Sequence, residues 1–313
     1  MSSNTESQLA GAVLMVRPVR FYSNPLTAAS NRFQGNTVLS AGEQQRAALE
    51  EFEALAAALE HAGIEVVVVD DTEDPPTPDA IFPNNWITTH ADGTVVLYPM
   101  EAVNRRTERR HDVIDLLVTR YGFHVKRIID LSPHERYGHY LEGTGSLVLD
   151  RPRRLAYACL SSRTHLDALG DFSQQLDYEV LAFDAVDRDG RAIYHTNVMM
   201  NLGERLAVIC LESIRREDQR EAVVRSLEDS GHEIVDLSYD QLEAFAGNML
   251  ELRAANGGRV LAMSAQARNS LTPAQLETIE ANAKIVSASI DRIEASAGGS
   301  VRCMLAEIHL PRG

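Results

Sequence analysis

One cysteine in this sequence stands apart from the other two. Cys303 follows a double glycine in GGSVRCM and sits beside Arg302. A neighbouring cation favours the thiolate, the form in which cysteine is a nucleophile. Cys159 in YACLSS and Cys210 in VICLES lie among apolar neighbours and read as buried small hydrophobes. Counting back from Cys303, Asn248 lies 55 residues earlier, His195 a further 53, Glu142 a further 53 and Asp79 a further 63. Asn84, Asn85 and Asn197 stand close to members of this series. A thiol, an imidazole and carboxylates brought to one place form a nucleophile, a base and its orienter.

Each residue also has a plainer reading. His195 in IYHTNVMMN could be a satisfied core histidine, and Glu142 in YLEGTGSLVL could only accept from the amides of the Gly143–Gly145 turn. Arg163 in SSRT could cap the next helix, and Arg105-Arg106 could be a solvated helix start. A carboxylate entering an otherwise apolar strand is costly unless paired, which favours a role for Glu142.

The elements that must carry these residues follow from periodicity. Apolar residues three and four apart predict helices over 41–62, 106–121, 164–176, 213–230 and 272–283. Gly63 is a stop for the first, and Thr272, Pro273 and Gln275 open the last with a capping box. A β-branched or apolar run follows each helix: Ile64–Val69, Phe123–Ile129, Tyr178–Phe183, Glu233–Leu237 and Lys284–Ala288. Hairpins come next, namely Ala80–Thr88 with Thr94–Tyr98, Gly145–Leu149 with Arg154–Cys159, Tyr194–Met200 with Arg205–Leu211, and Asn248–Leu252 with Arg259–Met263. Arg302–His309 lacks a partner, and the N-terminal strand Ala12–Arg17 supplies one. The order helix–strand–hairpin thus occurs five times. It predicts an α/β fold, a fivefold pseudosymmetric ring of ββαβ units in a single domain over 1–313, with strands inside and helices outside. Similar places in such a ring converge on its axis, which is where evenly spaced residues would meet.

Composition narrows the partners. The 313 residues carry 30 Lys+Arg against 45 Asp+Glu, a net charge of −15, so neither nucleic acid nor an anionic membrane is expected. No run reaches a membrane span, residues 1–16 lack the pattern of a secretory leader, and three cysteines make no disulfide framework. A cytoplasmic protein acting on a small molecule is expected, with a homo-oligomer left open. Neither GxGxxG nor GxxxxGK[ST] nor GxSxG occurs. His134 and His139, with Glu135, fit no common metal spacing, so neither a metal nor an organic cofactor is expected.

Taken together, these residues resemble the guanidino-group-modifying superfamily of arginine deiminase, dimethylarginine dimethylaminohydrolase and the amidinotransferases. The likeness runs from Met15-Val16-Arg17-Pro18 to Cys303-Met304. It implies the fivefold α/β propeller (pentein-type) fold. PDAIFPNNW resembles the substrate-binding segment, with Asp79 and Phe82 at its Asp and Phe. LEGTGSLVL puts Glu142 on the catalytic glutamate, YHTNV puts His195 on the histidine and GGSVRCM puts Cys303 on the nucleophile. LSSRT puts Arg163 on an arginine that binds the substrate carboxylate, and Asn104-Arg105-Arg106 resembles a second arginine segment.

Two departures bear on the substrate. Where arginine-directed relatives carry acidic residues, this sequence has Asn84-Asn85 and Asn197. Amides suit a neutral ureido group better than a guanidinium, which needs counter-charges when buried. The resemblance, so qualified, implies hydrolysis of citrulline to ornithine, CO2 and ammonia. In that reaction Cys303 attacks, His195 relays protons and Glu142 orients His195. Asp79, Asn85 and Asn197 would hold the planar group, and Arg163 with Arg105 or Arg106 the carboxylate. The rival readings are an arginine or dimethylarginine hydrolase, an amidinotransferase, and a non-catalytic amino-acid-binding ring. The loop Phe21–Gln34 is long and polar enough to be a lid.

Overall fold

The amphipathic stretches of the sequence are α-helices in the computed structural model, which describes residues 6–35 and 40–312. Residues 1–5, 36–39 and 313 of the expected domain lie outside them. The helices span Ala41–His61, His111–Thr119, Leu166–Leu176, Glu217–Asp229 and Pro273–Asn282. The first opens with a capping box between Ser40 and Glu43, and the last with one between Thr272 and Gln275, with Pro273 in the first turn. Each box satisfies backbone N–H groups that a helix start leaves unpaired. The second helix is shorter than expected because the chain first makes a 3-10 stretch at Val103–Glu108.

Five three-stranded sheets share one plan. A short strand pairs antiparallel with a middle strand, and the middle strand pairs parallel with a third that returns after the helix. The first sheet joins the two ends of the chain. Ala306–Ile308 lies antiparallel to Ala12–Arg17, which lies parallel to Glu65–Asp70, with Leu14 opposite both Ala306 and Val67. The others are Ile87–Thr89, Thr94–Leu97 and Arg127–Asp130; Val148–Asp150, Leu155–Cys159 and Glu179–Phe183; Met200–Leu202, Leu206–Ile209 and Glu233–Asp236; and Leu250–Arg253, Arg259–Ser264 and Lys284–Ala288. The middle strands Thr94–Leu97, Leu155–Cys159 and Leu206–Ile209 are buried throughout, whereas the third strands are partly exposed. This is the pattern of strands inside and helices outside. Helix Ala41–His61 seats Ala48, Phe52, Leu55 and Leu59 against Val13, Met15 and Ile293. Truncating Phe52 to alanine would cost about 3–5 kcal/mol on the scale of buried aromatic deletions.

The structure corrects one feature of the sequence reading. All five short strands begin later than expected, and in four units the residues ahead of the strand form a single helical turn instead. These turns are Pro83–Asn85, Gly143–Ser146, Thr196–Met199 and Val301–Met304. Their backbone bonds are local: Ser146 N–H donates to the Glu142 carbonyl at 3.1 Å, and Cys303 N–H to the Ser300 carbonyl at 3.0 Å. A four-residue turn is too short to show a helical period, so buried apolar residues there read as strand.

Candidate active site

Glu142 and His195 each immediately precede one of these turns, in successive units. His195 Nε2 lies 2.8 Å from Glu142 Oε2, with both side chains buried. Glu142 Oε1 accepts the Glu101 backbone N–H at 3.0 Å, and Arg163 stands 3.4 Å from Oε2. Burial raises the Glu142 pKa, but Arg163, His195 and Arg105 together hold it well below the usual carboxylate range. Burial pushes His195 the other way from a charged state, down to about 4, against the pull of Glu142. The imidazole is therefore neutral near pH 7, and no protein hydrogen bond occupies its Nδ1 among the described residues. A neutral ring with one free nitrogen can take up a proton and return it.

Glycine makes this approach available. Gly143 has φ +47°, and a Cβ there would lie 2.2 Å from the Asn84 carbonyl oxygen. A Cβ on Gly145 would lie 2.6 Å from Asn85 Nδ2 and 2.8 Å from the His195 ring. The close packing of Asn85, Glu142 and His195 thus requires glycine at both positions.

Cys303 sits in the turn Val301–Met304, buried. Two amide groups reach its sulfur: Asn248 Nδ2 at 3.3 Å and Asn197 Nδ2 at 3.6 Å. Asn248 is itself fixed, since Nδ2 also donates to the Asn197 carbonyl and Oδ1 accepts the Arg302 N–H. Amide donors stabilise negative charge on sulfur. The cation singled out in the sequence does not take this part. Arg302 turns its guanidinium to the Leu305 carbonyl and to Glu307. Cys159 and Cys210 are buried as expected, and burial pushes both thiols up to about 12.

Cys303 and His195 line a common narrow cavity, with Asp79, Phe82, Asn85, Arg105 and Arg163 in its wall. Asp79 Oδ2 accepts from Asn24 Nδ2 at 2.7 Å, while its buried Oδ1 has no hydrogen-bond partner. Arg105 is fully buried and paired with Glu108 through three contacts of 2.9–3.2 Å. Its Nη1 donates to Asn85 Oδ1 at 2.9 Å, so a fixed cation stands directly behind the Asn85 amide. Arg163 contacts Ser30 and Glu101 and lies 5.0 Å from the Tyr194 ring centroid.

Four of the expected substrate-site residues lie outside the cavity wall. Asn84 stands behind Asn85, accepting from its Nδ2 at 3.0 Å, and does not line the cavity. Arg106 is not in the wall either; it faces Glu135 and the Met100 carbonyl. The reason is the 3-10 stretch, which points the two adjacent arginines apart. Asn197 and Asn248 are not in the cavity wall and act on the sulfur instead.

The sequence reading names the loop Phe21–Gln34 as a lid but none of its residues, and it does not disclose the supports. Thr27 and Asn31 line the cavity from the loop Phe21–Gln34, which is tied down by Asn24 to Asp79, by Asn31 to the carbonyls of Ala297 and Gly298, and by Arg32 to Asp187 and Glu243. Glu101, Glu108 and Tyr194 also escaped it. Tyr194 donates to the Gly298 carbonyl at 2.6 Å and packs against the His195 ring. Adjacency to His195 was the one signal that could have found it.

The family model described as N,N dimethylarginine dimethylhydrolase, eukaryotic, matches residues 17–310. No curated protein matches the chain in sequence. ArgZ in its apo form, an arginine dihydrolase from the ornithine–ammonia cycle in cyanobacteria, superposes with a TM-score of 0.72 at 18% identity, covering 96% of this chain and 41% of ArgZ. The chain therefore spans less than half of that protein. The N-terminal domain of ArgZ, a cysteine-to-serine variant bound to substrate, gives 0.71 at 18% identity and covers 95% of this chain and 97% of the domain. Dimethylarginine dimethylaminohydrolase, as a histidine-to-glycine variant in its adduct with S-methyl-L-thiocitrulline, gives 0.64 at 13% identity, with 96% and 100% covered. The shared fold is the five-unit α/β propeller.

Proposed function

This chain belongs to the N,N-dimethylarginine dimethylhydrolase family, C–N hydrolases with a cysteine nucleophile, and from that premise we propose that it hydrolyses the neutral ureido group of citrulline. The observation that carries the reading is the 2.9 Å bond from Arg105 to Asn85 Oδ1. The cavity wall at this point presents an amide with a buried cation behind it. A guanidinium placed there would meet like charge in a medium of low dielectric, whereas an uncharged ureido group would not.

The reaction balances with the groups present. Cys303 gives its proton to His195 Nδ1 and attacks the ureido carbon. His195, oriented through Nε2 by Glu142, returns the proton to the departing δ-nitrogen, and ornithine leaves. The S-carbamoyl intermediate then takes up water, whose proton passes to His195. The C–S bond breaks, the thiol is restored, and the carbamic acid released decomposes to CO2 and ammonia. Asn197 and Asn248 hold the sulfur as it carries charge. Arg163 receives the substrate carboxylate while Asp79 Oδ1 accepts from a substrate N–H.

A second reading rests on that same Asp79 Oδ1, a buried carboxylate oxygen without a donor, which would also suit arginine or a methylated arginine. The two are separated by incubating the protein with citrulline, arginine and dimethylarginine and assaying ornithine, citrulline and ammonia. Ornithine from citrulline alone, lost in Cys303→Ser, supports the ureido reading. Turnover of arginine but not citrulline overturns it.

A further inference from the structure

We propose that His139, His165 and Asp167 form a binding site for a divalent transition ion of the zinc class, distinct from the cavity around Cys303. The three residues come from two separate segments, yet each offers a ligand atom within 4.8 Å of the others. His139 Nδ1 lies 3.1 Å and His165 Nδ1 3.9 Å from Asp167 Oδ2. A tetrahedral zinc ion with bonds of about 2.0–2.1 Å sets its ligand atoms about 3.3 Å apart.

The chemistry of the set also points to such an ion. Two imidazoles and one carboxylate are the ligands that borderline divalent metals take, leaving a position for water. The rings of His139 and His165 are stacked at 3.9 Å and 5°, so one ring turns out of the stack for both nitrogens to face one ion. Asp167 is largely exposed, so an ion can reach the site. His165 Nδ1 now accepts the Asp167 N–H at 3.2 Å, and the ion takes the place of that long bond. His134, near His139 in sequence, is not part of the set and pairs with Asp171.

The placement gives the ion a consequence. His165 N–H donates to the Tyr140 carbonyl at 2.8 Å, and Leu141 and Thr164 form an isolated bridge. The ion therefore staples the outer ends of two segments whose inner ends carry Glu142 and Arg163.

The test is calorimetric titration of Zn2+ into the Cys303→Ser protein, which removes the cavity thiol as a competing ligand. One equivalent bound per chain is expected, with affinity falling at least tenfold in His139→Ala and in His165→Asn. The asparagine keeps an acceptor for the helix start, and circular dichroism checks that each variant is folded. Asp167→Asn provides a third variant should either histidine change unfold the chain. Absence of stoichiometric binding, or binding that all the folded variants retain, overturns the proposal.

Discussion

Glu142 and His195 hold equivalent places in neighbouring units, each just ahead of a four-residue helical turn, and a 2.8 Å hydrogen bond joins them. The pseudosymmetry of the chain is thus used directly: one turn supplies the carboxylate and the next supplies the imidazole. Cys303 lies within the equivalent turn of the unit that closes the ring. The consequences can be measured.

Replacing the nucleophile removes the covalent step. Cys303→Ser is expected to lower kcat by at least about 10³-fold while leaving the far-ultraviolet spectrum unchanged. Intact-mass spectrometry should find a covalent adduct only in the wild type. Turnover within tenfold of wild type would exclude Cys303 as the attacking group.

Gly145→Ala tests the packing behind the triad. The added Cβ would stand 2.6–2.8 Å from Asn85 and His195, displacing both. A loss of about 10² in kcat is expected from such a displacement, as steady-state kinetics would show.

Asn85→Asp tests the substrate assignment. Arg105 would pair with the new carboxylate and neutralise part of it, but the ratio of arginine to citrulline turnover should still rise at least tenfold. An unchanged ratio would mean that the amide does not set the preference.

Arg105 and Arg106 should separate cleanly. Arg105→Ala leaves Glu108 buried without its partner, which is expected to lower stability by about 3–5 kcal/mol. Arg106, half-exposed at Glu135, should change stability by less than about 1 kcal/mol and leave KM unaltered. Urea denaturation and steady-state kinetics decide both.

The histidine gives a signed pH dependence. Its folded pKa is pushed down to about 4, whereas the unfolded value is about 6.5. As pH falls below 6.5 the unfolded state takes up a proton that the folded state refuses, so stability is lost between about 6.5 and 4 and is fully present above. Between pH 7 and pH 5 the loss is about 2 kcal/mol. His195→Gln should abolish that increment, and denaturant melts of both proteins at the two pH values would show it.

Much of this site was legible because the ring repeats. Even spacing singled out Glu142, His195, Asn248 and Cys303, and periodicity placed the helices within a few residues. What escaped has physical reasons. Single turns such as Gly143–Ser146 show no period, so they read as strand. The different environments of Arg105 and Arg106 depend on a 3-10 stretch that no apolar pattern announces. Asn24, Thr27 and Asn31 lie in an irregular loop, and Glu101 reaches Arg163 from 62 residues away, so local sequence carries no trace of them; Glu108 is only three residues from Arg105, but their pairing depends on that same 3-10 stretch. The substitution of amides for Arg302 as partners of the sulfur is likewise a matter of side-chain direction, not of sequence adjacency.

The two amides that reach Cys303 come from residues 106 and 55 positions away in the chain. Before the last unit docks, its sulfur is an ordinary solvent-exposed thiol; afterwards it is shielded from bulk solvent and fixed by both amides. A pulse of alkylating reagent during refolding therefore acts as a clock. The moment at which labelling of Cys303 changes marks assembly of the ring-closing unit against those of Asn197 and Asn248, and that step becomes chemically visible at the very atom that the finished molecule uses.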